Sequence, residues 1–203
     1  YEMDAHGVAR AVVICASLGP NADNNCYVVE QASLYGARIV PFVDVDSRWS
    51  ASYHTPGAAD RLRAMADSWP IRGFTHYLRE EDDGSWLTSP DGQALFRLAA
   101  ERRLVASIAC QPHHQEALRA LARQFPTVPI LCHHMGGVRA GAGPLLDQLR
   151  PVLASATIPN IYVKVSGFGY LAERGWDFPY RETHEVVRAL YEHFGPDRLC
   201  WGS

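Results

Sequence analysis

The sequence predicts an α/β fold on a parallel sheet, a (β/α)8 TIM-like barrel that is incomplete, one strand short. Three observations carry that expectation. Short β-branched runs alternate with stretches of helical periodicity along the whole chain, the pattern of strand–helix–strand units. No G-x-G-x-x-G turn or G-x-x-x-x-G-K-[ST] loop occurs, which disfavours a nucleotide-binding open sheet. One run, Ile161–Ser166, is two-faced: Ile161, Val163 and Val165 share one side, and Tyr162, Lys164 and Ser166 the other. A strand between two helix layers should be apolar on both sides, whereas a polar side suits the lumen of a barrel near its top. A barrel takes eight strands and typically ~250 residues. This chain of 203 residues supplies seven runs.

Taken in order, Tyr1–Gly7 reads as the tail of a helix stopped by Gly7. Strand-like runs follow at Ala11–Ala16, Arg38–Val45, Ile71–Tyr77, Leu104–Cys110, Val128–His133, Ile161–Ser166 and Arg198–Trp201. Their spacing is close to the ~30 residues of a strand–helix–strand unit. Helical periodicity fills the intervals at Asn25–Tyr35, Pro56–Ser68, Pro90–Arg102, Gln115–Phe125, Leu145–Ala154 and Glu182–Phe194. The helix at Pro90 has the clearest start. Ser89 is placed to cap it, Pro90 suits the first turn, and Asp91 meets the positive end of the dipole. Gly195-Pro196 stops the last helix. No linker interrupts the series, so residues 1–203 are expected to form one barrel domain.

Apolar residues at 47% and charged residues at 20% suit a globular chain with one sizeable core. A net charge of −3 offers no basic face for nucleic acid. No apolar run nears the ~20 residues needed to cross a bilayer, and the first residues lack a basic-then-apolar signal. The expected setting is therefore cytoplasmic, with a small-molecule substrate and neither nucleic acid nor membrane as partner; a homo-oligomer is compatible with this reading. The five cysteines are odd in number and lack Cys-x-x-Cys spacing. They read as buried small hydrophobes in a reducing compartment.

In a barrel, chemistry collects just after each strand. The residues there are His76, then Gln111 with His113 and His114, then His133 and His134, then Lys164 and Ser166, and Ser203. Histidine at such an edge can bind a metal, polarise a carbonyl or move a proton near neutral pH. Alternation puts Ile130, Cys132 and His134 on one face, and Leu131 and His133 on the other. Spacing does not choose between the two histidines.

Several stretches, in order, carry a family resemblance. Val128-Pro-Ile-Leu-Cys-His-His-Met-Gly136 resembles the "vvlDHxG" strand of the amidohydrolase-related (type 2) family, part of the amidohydrolase superfamily. Asn160-Ile-Tyr-Val-Lys-Val-Ser-Gly167 is similar to its "NvyvKlSG", and Phe194–Ser203 to its "fGpdRllwGSD". Met3–Val13 resembles "MDxxGVxxaV", and Ile71-Arg-Gly-Phe74 resembles "vrGvR". Gln111-Pro112 followed by Leu118–Pro126 is similar to the lactonase-like branch, which includes pyrone-dicarboxylate and sugar lactonases.

The resemblance implies a distorted barrel that hydrolyses a small, anionic cyclic ester. It implies His134 as the catalytic histidine and as a ligand of any metal bound, one divalent ion, zinc or manganese; some lactonases of the branch work without a tightly bound metal. Lys164 and Ser166 match the lysine and serine of K-x-S-G. His133 stands where the family usually has aspartate, Thr75 replaces the arginine of "GvR", and Gln111 occupies a position where metal-binding relatives often carry histidine.

On this reading water attacks a lactone carbonyl that His134 polarises. Lys164 and Arg139 orient the substrate, with His76, Gln111, His133 and Ser166 as further contacts. The loop Gly169–Arg181, with Trp176, Asp177 and Tyr180, is expected to help select it. The family's first strand, with its H-x-H pair, is expected upstream of Tyr1, and its catalytic aspartate directly after Ser203, so the resemblance implies a barrel domain truncated at both ends. Two alternatives stand beside this one: a metal-dependent decarboxylase of an aromatic or unsaturated acid, and an inactive fragment or binding scaffold.

Overall fold

A computed structural model describes residues 1–202. In chain order the elements begin with α1 (Glu2–Ala5), β1 (Ala11–Ile14), α2 (Asn24–Tyr35), β2 (Ile39–Asp44), α3 (Ala58–Ser68) and β3 (Gly73–Tyr77). There follow α4 (Ser85–Thr88), α5 (Pro90–Arg102), β4 (Val105–Ala109), α6 (Gln115–Gln124) and β5 (Ile130–Cys132). The series ends with α7 (Leu145–Ala154), β6 (Ile161–Val165), α8 (Phe168–Leu171), α9 (Arg181–Phe194) and β7 (Leu199–Trp201).

The seven strands form one sheet in the order β1-β2-β3-β4-β5-β6-β7, and every neighbouring pair is parallel. Sequential order with helical crossovers is the arrangement of a barrel that has not closed, as expected. The register sorts the two faces. Asp44, Thr75, Ser107, Leu131 and Tyr162 lie in one row. His76, Ile108, Cys132, Val163 and Leu199 lie in the next, on the opposite face. The second face carries the core: Phe74, Ile108, Ile130, Ile161 and Val163 are buried with Leu62, Phe96, Leu118 and Leu121 of the helices. The first face is the lumen, polar in β2, β3 and β4.

The local signals act where expected. The Ser89 hydroxyl accepts the Gly92 N–H at 3.2 Å and caps α5. Gly7, after α1, and Gly195, after α9, both take positive φ. Strands are shorter than the apolar runs that announce them. β5 starts after Pro129, which has no N–H to give the ladder, and ends before His133. Asn160 fixes the approach to this strand from β6, its amide donating to the carbonyls of Ala122, Phe125 and Val128 at 3.2, 3.1 and 2.9 Å.

Two cysteines depart from the expected burial. Cys26 and Cys200 are exposed, the first on the outer side of α2 and the second on β7, while Cys15, Cys110 and Cys132 are buried. β1 and β7 pair along one side only, and Val12 and Trp201 on them are 51% and 79% exposed. Among the described residues no helix is long and apolar enough to cross a membrane.

Candidate active site

The carboxyl ends of the strands surround a cleft of about 370 Å³, walled by Trp49, Tyr77, Gln111, His133, His134 and Arg139 among others. That volume is within the range of small-molecule sites. The turn after β5 builds its most reactive side. His133 is still extended, with φ −71° and ψ 152°. His134 and Met135 then take left-handed φ values of +46° and +54°. Alternation would separate adjacent histidines, but the strand has ended, so both reach the same cleft. Gly137 follows at φ +78°, where a Cβ would lie 2.6 Å from the Cys110 carbonyl. Only glycine lets this turn press against the end of β4.

The His134 Nδ1 lies 2.9 Å from the hydroxyl of Ser166, which is fully buried. Burial, and then the Lys164 charge, lower the pKa of His134 to about 4, with the Ser166 backbone opposing. The ring is therefore neutral at pH 7. His133 is 1% exposed, and its Nε2 sits 2.5 Å from the Ser107 hydroxyl. The Ser107 carbonyl in turn accepts from the Thr75 hydroxyl at 3.0 Å. His133 Nδ1 is buried and has no hydrogen-bond partner among the described residues. Burial, Lys164 and His134 hold its pKa well below the usual histidine range. With Nε2–H donating to Ser107, Nδ1 keeps a lone pair, which a nearby ammonium tolerates better than a buried N–H. Tyr77 meets the His133 ring edge-on at 5.0 Å.

The other sequence-predicted residues divide. Gln111 and Arg139 stand on the cleft wall. The Gln111 side chain also caps the turn after β4: it accepts the His114 N–H, while its own backbone N–H bonds His114 Nδ1 at 3.0 Å. Arg139 pairs with Glu80 at 2.8 Å, both about half exposed. Lys164 is 8% exposed, its stem packed where a Cβ on Gly202 would lie 2.5 Å away. Burial lowers its pKa to about 8. It is close enough to lower both histidine pKa values but lies outside the cleft lining. Ser166 likewise holds His134 rather than lining the cleft.

His76 is a correction. It shares its face with Phe74 and Ile108, so its ring points away from the lumen. There it is fully buried, its Nδ1 2.8 Å from the Val45 carbonyl and its ring stacked 4.8 Å from Trp86 and 5.5 Å from His54. His113 and His114 both bond the Asp82 carbonyl, at 3.0 and 2.8 Å, and so pin the loop after β3. Trp176 is 83% exposed and outside the cleft lining. Ser203 lies outside the described residues.

Sequence reasoning missed Arg48, Trp49 and Tyr77 on the wall and Asp44 beneath it. One Asp44 oxygen accepts from the Trp49 indole at 2.8 Å and the Ser17 N–H at 2.7 Å. Trp49 and Tyr77 rings lie 4.7 Å apart. The sequence marks the place, since Asp44 ends β2 where barrel chemistry collects, but not the return of Trp49 five residues later.

Among the described residues no group of three His, Cys, Asp or Glu side chains converges. A catalytic zinc ion takes about three protein ligands, and His134 is the candidate among the residues of this cleft.

A family model described as "Amidohydrolase" matches residues 1–203. The chain is 28% identical to L-fucono-1,5-lactonase of Burkholderia ambifaria over 199 residues, 97% of this chain and 64% of that enzyme. It thus spans just under two thirds of that relative's length. Over 75 residues, 37% of this chain and 24% of the other, it is 32% identical to 4-sulfomuconolactone hydrolase of Rhizobium radiobacter. The crystal structure of an amidohydrolase from Burkholderia multivorans with bound zinc superposes with a TM-score of 0.77 at 21% identity, covering 99% of this chain and 70% of that one. At that identity the likeness speaks for the fold.

Proposed function

The chain belongs to the amidohydrolase family, and from that premise we propose that the protein hydrolyses a lactone by attack of water on the ring carbonyl. The observation that carries this reading is His134, a neutral imidazole on the cleft wall whose Nδ1 is held at 2.9 Å by a buried serine. A neutral imidazole keeps one N–H donor and one lone pair, so a ring held at the cleft wall can act as a hydrogen-bond donor to a substrate oxygen. A fixed neutral donor there stabilises the charge that grows on the carbonyl oxygen as water adds, and its geometry costs no reorganisation during the step.

The surrounding residues assign the rest. Lys164 keeps positive potential beside the forming oxyanion. Trp49 and Tyr77 offer ring faces and edges to the substrate ring, and Arg48 and Arg139 at the rim favour a substrate that carries an anionic or strongly hydrogen-bonding arm. Two lactone-opening relatives, the fuconolactonase and the sulfomuconolactone hydrolase, support a cyclic ester as the substrate class.

The test is turnover of the full-length protein on a panel of sugar and muconate lactones, followed as acid release. The expected result is hydrolysis of at least one member, with His134→Ala slowing kcat/KM by about 10²-fold or more, as for loss of a general acid–base or oxyanion group. Unchanged turnover in that variant would sink the role of His134. Release of CO2 from an aromatic acid, with no lactone opened, would assign the site to decarboxylation instead.

A further inference from the structure

The cleft does not end at Arg139. A second chamber of about 520 Å³ adjoins it and shares Gln111, Gly137 and Arg139 with the first. Each chamber by itself is as large as an ordinary small-molecule site, so the pair exceeds what one small lactone ring fills. The second chamber is built from residues between 80 and 151, none of them in the edge strands β1 and β7.

Its walls are preformed. The turn from Arg139 to Gly143 is clamped by Gln148, whose Oε1 accepts the Arg139 N–H at 2.9 Å and whose Nε2 donates to the carbonyls of Arg139 at 2.9 Å and Gly143 at 3.3 Å. Pro112, Pro144 and Pro151 add stiff apolar surface around the opening. Its charges are paired off: Glu80 and Asp147 are both on the wall, Glu80 pairs with Arg139 at 2.8 Å and Asp147 with Arg150 at 3.1 Å. An anionic group entering the chamber would meet two carboxylates whose arginines are already engaged. A ring with hydroxyl groups would find carboxylate acceptors for its O–H donors and proline surface for its C–H faces.

We infer that this second chamber is a subsite for a neutral polyhydroxylated ring joined to the cyclic ester, so that the substrate is the lactone of a sugar acid bearing a further sugar unit. The inference rests on the lactone reading for the first chamber. It takes Arg139 as the divider between the two rings: its Glu80 pair narrows the passage, and its backbone is fixed by Gln148.

The experiment uses the full-length protein and two open-chain product analogues, gluconate and lactobionate, the latter carrying a galactosyl unit. Affinities are read by calorimetry and contacts by saturation-transfer NMR, so neither readout needs turnover. Lactobionate is expected to bind about tenfold tighter than gluconate, equivalent to roughly 1.4 kcal/mol, with saturation on the galactosyl protons. Ala142→Phe, on an exposed wall position, and Asp147→Asn are each expected to bring that ratio down to about twofold or less. Equal affinities, or saturation confined to the gluconate protons, overturn the subsite. So does an unchanged ratio in both variants when their melting curves match the parent. Hydrolysis of monosaccharide lactones is assayed alongside. Turnover there without a lactobionate preference leaves the lactone reading standing and removes the subsite; galactosyl contact without turnover of any lactone keeps the subsite and removes the reaction.

Discussion

Burial sets the protonation of the two histidines that follow β5, and their partners differ in what they do. Ser107 is the sole hydrogen-bond partner of the His133 ring among the described residues, since its Nδ1 has none. Ser107→Ala therefore leaves a buried imidazole with both nitrogens unmet, at a cost of about 1–3 kcal/mol. A urea titration should show that loss as a lower midpoint at unchanged slope. Ser166 positions His134 without lining the cleft, so Ser166→Ala should lower kcat by about tenfold with KM little changed, as expected for a donor acting in the transition state. Ser166→Thr, which keeps the hydroxyl, should recover most of the loss. A KM rise with kcat intact would make Ser166 a binding residue instead.

At the scale of elements, the turn after β5 decides what the cleft can contain. Gly137 at φ +78° lies so close to the end of β4 that a Cβ would meet the Cys110 carbonyl at 2.6 Å and the Gln111 Oε1 at 2.8 Å. Gly137→Ala should therefore destabilise by more than about 1 kcal/mol and also displace Gln111, so melting temperature and kcat/KM should fall together. This turn also marks how far the sequence could be read. The rhythm of runs and helices gave the order of the sheet, and α5 and α7 match their expected spans residue for residue, because capping and 3.6-residue periodicity are local properties. That His133 and His134 reach the same cleft was not legible, because it depends on left-handed dihedrals at His134 and Met135, which few residues other than glycine adopt. The position of His76 could have been read from alternation, since it shares a face with Phe74. Trp49 lay five residues past its strand, and only the fold shows that the loop turns back to Asp44.

Across the whole molecule, burial lowers the pKa values of five histidines: His54 and His134 to about 4, and His76, His114 and His133 in the same direction. In the unfolded chain these groups take up protons near the ordinary value of about 6.5, while in the folded state His54 and His134 resist until about pH 4. Between those values the unfolded state binds more protons, so stability is full above about pH 6.5 and falls as the pH drops towards 4. Thermal melts at pH 7.5, 6 and 5 should show a steady decrease, and a flat profile would mean that the rings are not buried as described. The same whole-molecule view gives a prediction about association. β1 and β7 each leave one edge unpaired, and the exposed side chains of Val12 and Trp201 lie on those strands. Unpaired parallel edges with apolar side chains are templates for pairing with another copy. The chain of residues 1–203, expressed by itself, should therefore self-associate in light scattering after gel filtration. Lys or Glu at Val12 and Trp201 should reduce that association, since charge on an edge strand opposes pairing. A monodisperse monomer with a cooperative melt would show that the open edges are protected in some other way, and association unaffected by the charged variants would move its cause away from the strands.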